Sequence, residues 1–192
     1  MSDLLVHPRH LSYSTKLEPR HPETVRLVVI HCTELPDLAA AREYGERILY
    51  PASGTGNSGH YYIDRDGRVE EWIPPDRIAH HVRGHNDNSI GIELVNRGRF
   101  PDWLNSQSQE MSEPYPPEQI AALVALLQHL IRHLDSLDWI AGHEQLDTER
   151  VSSTDDSAIR VARKLDPGPL FPWQSVLASV PLQQPASNEA PG

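Results

Sequence analysis

Residues 26–32, RLVVIHC, constrain the fold more than any other stretch of this chain. Their length and β-branched content suit a strand rather than a helix, and their unbroken apolar character suits a buried strand that ends at a polar cluster. A second run, SIGIELV at 89–95, reads the same way, and WIA at 139–141 reads as a short strand running into Gly142-His143. Residues 60–63 and 68–73 flank Asp66-Gly67, a dipeptide that supplies the positive φ angles of a tight turn, so they form a hairpin. Helical spacing falls between the strands. Residues 38–49 carry it, and so do residues 117–134, with proline in the first turn and Ile120, Val124, Leu127, Ile131 and Leu134 on one stripe. Strands and helices that interleave in this way define a single α/β domain with a mixed central β-sheet flanked by helices, its ligand cleft at the strand ends.

A chain of 192 residues supplies one sizeable core. The expected division is an N-terminal arm at 1–24 laid on the surface or partly mobile, a folded domain at 25–181, and a disordered tail at 182–192 that is low in apolar residues. Residues 97–116 form a loop longer than compact domains usually tolerate without a purpose, which predicts that it borders a binding cleft. Residues 144–163 are also irregular, with a short helix expected near 157–161. The net charge of −10 repels nucleic acid and anionic surfaces. No stretch reaches the length of a membrane span, and the opening residues lack the basic flank and apolar run of a signal peptide, so a cytoplasmic protein is the expectation. The sole cysteine, Cys32, excludes an internal disulfide framework.

Eleven histidines invite a search for a metal site. The residue four after His143 is Asp147, so the HExxH zinc signature is not met. His129 and His133 are four apart on the long helix, but the 100° step per residue turns both to the solvent side of its apolar stripe. His31, His143 and Asp166 survive as candidates. Each histidine closes a predicted strand, and Asp166 stands in Leu165-Asp166-Pro167-Gly168-Pro169, where the backbone is stiff. Taken singly, a strand-end histidine is usually a hydrogen-bonding residue and an Asp before Pro a turn former. Together, two neutral imidazoles and a carboxylate make a ligand set for zinc with a fourth position left for water. Cys32 points to the opposite face from His31 and belongs to the core. Glu93 interrupts an apolar strand, so it is either solvated or a buried group with a task. Alternation puts it on one face with Gly91 and Val95, and the small Gly91 leaves space there for a ligand. Lys164 reads either as a surface lysine beside Arg163 or as a cation held near the metal against a developing oxyanion.

With these residues in view, the chain resembles the type 2 N-acetylmuramoyl-L-alanine amidases, the zinc-dependent group that includes the muropeptide-recycling amidase, phage T7 lysozyme and the peptidoglycan recognition proteins. The matching pieces are VVIHCT at 28–33, SGHYYIDRDGRV at 58–69, IPPDRIAHHV at 73–82, NSIGIELV at 88–95, IAGHE at 140–144 and RKLDPGPLFPW at 163–173, in family order. The resemblance implies zinc held by His31, His143 and Asp166, with Glu93 as the acidic and Lys164 as the cationic catalytic residue. It makes residues 25–181 the zinc amidase domain. Where the T7 lysozyme branch has a cysteine ligand and an assisting tyrosine, this chain has Asp166 and Gly59, which places it nearer the recycling branch. Where the family often has Trp-His, the chain has His80-His81. His60, His81 and Asn88 are candidate substrate-binding residues.

The activity so implied is hydrolysis of the amide between N-acetylmuramic acid, in ordinary or 1,6-anhydro form, and L-alanine, with peptidoglycan fragments as partners. Two alternatives share the fold: a peptidoglycan-binding module without catalysis, and an exported or phage amidase that lyses cell walls. Non-catalytic members lose a metal ligand, and all three are present here.

Overall fold

The computed structural model describes residues 4–185. In chain order its elements are β1 (Val6–Pro8), β2 (Leu27–Cys32), α1 (Leu38–Gly45), β3 (Tyr61–Ile63), β4 (Val69–Glu71), β5 (Ser89–Leu94), α2 (Pro117–His133), β6 (Trp139–Gly142), α3 (His143–Leu146), β7 (Arg150–Ser152), β8 (Arg160–Ala162) and α4 (Trp173–Leu177). Six strands form one sheet in the order β1-β4-β3-β5-β2-β6, while β7 and β8 pair separately. Only β3 and β4 run antiparallel in the large sheet, so it is mixed, as the interleaved pattern predicts.

Period-two alternation assigns the side chains of the central strands to two faces. Val28, Ile30, Ile90, Ile92 and Leu94 join Leu123, Leu126, Leu127 and Leu130 of α2 in the largest apolar cluster. The opposite face carries Leu27 and Val29, which pack with Val82 and Ala141. On α2 the buried row is Gln119, Leu123, Leu126, Leu127 and Leu130, with Ile120 and Ile131 only partly covered. The helix is therefore rotated from the expected stripe, because its apolar residues fill two adjacent rows and the sheet selects one. Gln119 faces the core because its amide donates to the carbonyls of Ile63 and Val95, at 2.9 and 3.0 Å.

The hairpin forms with one change. Among its turn residues only Gly67 has positive φ, at 85°. A Cβ there would also stand 2.9 Å from the Glu118 carbonyl, so glycine lets the turn approach the first turn of α2.

Helix α1 stops at Gly45, four residues before the expected end. Its start is capped by Asp37, whose carboxylate accepts from the Ala40 amide at 2.8 Å. Past the helix, the amides of Leu49 and Tyr50 donate to the Thr55 carbonyl instead of continuing the helical ladder.

Residues 4–24 are not a loose arm. β1 adds in parallel to the edge of the sheet beside β4, where Pro8 needs no amide hydrogen. Leu11, Tyr13 and Leu17 are buried with Trp72 and Ile73. These apolar residues are spaced singly among prolines and histidines, so they carry no period. The tail expected from 182 also begins too early: Leu182 is buried and Gln183 bridges to Trp139, while residues 186–192 lie outside the described residues. Residues 157–161 are not helical. They lead into β8, which pairs with β7 in the register Val151 to Val161.

Candidate metal centre and its cleft

Parallel pairing brings the carboxyl ends of β2, β5 and β6 to one edge, the place where such sheets hold ligands. The register sets His31 of β2 directly beside Glu93 of β5. On the other side Ile30 is level with Gly142 of β6, so His143, the first residue of α3, follows next to His31. Asp166 arrives from the segment after β8. Its carbonyl accepts from the Glu144 amide at 3.0 Å, which ties it to α3, and the Tyr115 hydroxyl holds the next carbonyl, that of Pro167, at 2.6 Å.

His31, His143 and Asp166 are all buried, and one donor atom from each lies within 4.8 Å of the other two. Nδ1 of His31 is 3.0 Å from Asp166 Oδ2, and Nδ1 of His143 is 3.1 Å from the same oxygen. Burial, followed by the neighbouring His143, pushes His31 down to about 4 against the pull of Asp166, so its imidazole is neutral at pH 7. Burial works to raise Asp166, but His143, His31 and Lys164 outweigh it and hold the carboxyl well below its usual range. Asp166 Oδ1 is buried without a hydrogen-bond partner among the described residues.

Hydrogen positions behind His31 follow from its neighbours. The Ser89 hydroxyl has one proton, and the His85 carbonyl 2.5 Å away takes it. Ser89 Oγ therefore accepts from His81 Nε2, at 3.2 Å, which leaves His81 Nδ1 as an acceptor. That acceptor stands 3.0 Å from His31 Nε2, so the His31 proton sits on Nε2 and Nδ1 presents a lone pair. A lone pair 3.0 Å from a carboxylate oxygen is repulsive unless a cation lies against both. The donor set thus fits a divalent ion such as zinc, which takes neutral imidazole nitrogens and carboxylate oxygens.

Glu93 stands beside this cluster, with Oε1 4.0 Å from His31 Nδ1 and its side chain 14% exposed. Burial, then the charge of Asp166, pushes its carboxyl up to about 8, with Lys164 pulling in the other direction. Such a group exchanges protons near neutrality. Gly59 makes its room: a Cβ at that position would come within 2.8 Å of Glu93 Cγ. Gly91 does not hold space for a ligand as expected. The His81 ring fills it, 2.6 Å from where a Cβ would be.

A cleft of about 770 Å³ opens over the cluster, lined by the three candidate ligands, Glu93 and Lys164, with Tyr44, Tyr50 and Trp103 on its walls. The 97–116 loop borders it, as its length predicts, through Arg99, Trp103 and Leu104. The three expected substrate-binding residues are placed differently from one another. His81 lines the cleft, but both of its ring nitrogens face protein partners. His60 is fully buried behind it, its Nδ1 accepting from the Gly91 amide at 3.0 Å. Asn88 precedes β5 at the end remote from Glu93, where its carbonyl accepts from the Arg26 and Leu27 amides, and it does not line the cleft.

Several supporting residues had no signal in the sequence. Arg99 and Glu34 form a buried two-pronged ion pair, at 2.7 and 2.8 Å. Arg99 also donates to the carbonyls of Ala162 and Arg163, directly ahead of Lys164. Arg20, from the supposed arm, donates to the carbonyls of Pro75 and Ser89 and lies 2.9 Å from His60 Nε2.

Known structures share this architecture. The N-acetylmuramoyl-L-alanine amidase LysC from Clostridium intestinale URNW superposes with a TM-score of 0.66 at 19% identity, covering 93% of this chain and 99% of that one. The amidase AmiD from E. coli, solved with anhydro-N-acetylmuramic acid-L-Ala-D-gamma-Glu-L-Lys, gives 0.62 at 26% identity, covering 81% and 57%. The fold and site define an α/β domain of the amidase type. The profile of the family described as N-acetylmuramoyl-L-alanine amidase matches residues 21–169, and the chain belongs to that family. Among its relatives, AmiD of Escherichia coli K12 is 34% identical over 134 residues, 62% of this chain and 43% of that protein. The 1,6-anhydro-N-acetylmuramyl-L-alanine amidase AmpD of Enterobacter cloacae is 33% identical over 120 residues, 58% and 50% respectively. The chain thus spans half or less of the length of these two relatives.

Proposed function

We propose that the chain is a zinc-dependent N-acetylmuramoyl-L-alanine amidase that hydrolyses the amide between the lactyl group of N-acetylmuramic acid and L-alanine in peptidoglycan fragments. The observation that carries this reading is the convergence of His31, His143 and Asp166 on one point at the foot of the cleft, with an imidazole lone pair turned toward a carboxylate. The family membership and the muropeptide bound in the AmiD structure support the substrate class, including the 1,6-anhydro sugar.

His31, His143 and Asp166 would hold the ion. When bound, zinc supplies Lewis acidity, which polarises a carbonyl oxygen and acidifies water. Glu93 takes the proton of the attacking water on its carboxylate and passes it to the departing nitrogen of L-alanine. Its raised pKa suits both halves of that transfer. Lys164 brings an ammonium into the cleft, where it offsets the negative charge growing on the amide oxygen. The aromatic rings of Tyr44, Tyr50 and Trp103 on the cleft walls offer flat faces to the sugar.

The test is mass spectrometry of products from a soluble anhydro-muropeptide and from intact sacculi. Release of a free peptide beginning with L-alanine supports the proposal. Cleavage elsewhere in the muropeptide, or none from either substrate, contradicts it.

A further inference from the structure

Behind His31 lies a chain of polar groups that the proposed reaction does not use. Ser89 Oγ, both nitrogens of His81 and Nε2 of His31 are linked in sequence, ending on the His85 carbonyl. Three features hold His81 in this line. The amides of His81 and Val82 both donate to Asn86 Oδ1, at 3.0 and 2.8 Å, which fixes the backbone. Gly91 lets the ring lie flat against β5. The His60 ring packs edge-on against it, the ring centres 5.5 Å apart. A neutral His81 has one acceptor, and the line of hydrogen bonds makes that acceptor Nδ1.

We infer that His81, oriented by Ser89, is a positioning residue for the metal centre: it accepts the Nε2 proton of His31 and so fixes the tautomer that presents the His31 Nδ1 lone pair to the ion. This inference rests on the metal-centre reading above. Isolated imidazole exchanges its proton freely between two nitrogens, and only one of the two forms of His31 can ligate through Nδ1. His81 removes the wrong form. Because the ring is also held in place, the ion meets a ligand that needs no rotation. The same geometry explains why His81, although it lines the cleft, has no nitrogen left for a substrate.

The test is zinc affinity by chelator competition, on wild type, His81→Leu, His81→Asn, His81→Gln and Ser89→Ala. Loss of the acceptor in His81→Leu should weaken zinc about 10- to 100-fold, the scale seen for such outer partners of a ligating histidine. The amide oxygen of asparagine reaches about where Nδ1 stood, so His81→Asn should stay within a few-fold of wild type, whereas His81→Gln, whose amide reaches further, should not. Ser89→Ala should lose less than His81→Leu. Nitrogen-15 NMR of the zinc-loaded wild type provides a second readout: His31 should bind the ion through Nδ1 and carry its proton on Nε2. Wild-type affinity in His81→Leu, or a His31 proton on Nδ1, overturns the inference while leaving the metal centre standing if His31→Ala still loses zinc. A wild-type chain that binds no zinc overturns both.

Discussion

On one face of the sheet Val28, Ile30, Ile90, Ile92 and Leu94 lie under α2 in an unbroken apolar cluster. On the other, the residues between them include His31, Gly91 and Glu93, and loops rather than a long helix cover them. The same two strands, read at alternate positions, thus supply a core and part of the candidate metal centre. The first face is held by area removed from water, which is non-directional and tolerant of exchange among apolar residues. The second has a small apolar cluster at Leu27 and Val29, but around His31 and Glu93 it is held by specific pairings, in which each buried polar atom needs its own partner. Removing one group should therefore cost stability on the first face and chemistry on the second.

The sharpest contrast comes from the ligands. His143→Ala should abolish both zinc binding and muropeptide turnover while the folded chain persists, as read by metal analysis and circular dichroism. A variant that keeps a full complement of zinc removes His143 from the ligand set. Glu93→Gln should keep the zinc and lose about 10²- to 10⁴-fold in turnover, the usual worth of a positioned proton-transfer group. Full activity there would refute its role.

Arg99→Ala joins the two kinds of effect. It leaves the Glu34 carboxylate buried without its partner, at a cost of about 3–5 kcal/mol in denaturant unfolding. It also frees the carbonyls ahead of Lys164 and should lower turnover in the fraction that stays folded. A stable variant with normal turnover would show that the 97–116 loop does not position the centre. Ile92→Ala, on the opposite face from Glu93, should cost about 2–5 kcal/mol and leave zinc affinity and turnover of the folded protein unchanged. Smallest is Asp37→Ala, which removes the α1 cap for about 1 kcal/mol. A marked loss of activity in either of the last two would blur the division between faces.

Much of the reactive face was legible because it is written on strands. Alternation in SIGIELV put Glu93 on one side, and the observed register sets it beside His31. The apolar runs located β2 and β5, and the positions of His143 and Asp166 relative to Gly142 and Pro167 came with the family resemblance. What sequence did not reveal lacks a period. Arg99 and Glu34 lie 65 residues apart and belong to loops, and a long-range ion pair leaves no local pattern. Leu11, Tyr13 and Leu17 fill the second apolar cluster one at a time, so their segment resembled an arm. On α2 apolar residues fill two adjacent rows, and only contact with the sheet chose between them. Residues 38–49 kept helical spacing past Gly45, but the Thr55 carbonyl competes for the amides that would have continued the helix.

Zinc content and muropeptide cleavage measured on one preparation, before chelation, after it, and after zinc is restored, test the account at its centre. One ion per chain, with metal and cleavage lost together and recovered together, is the predicted result. Cleavage that continues undiminished in the metal-free chain would contradict it.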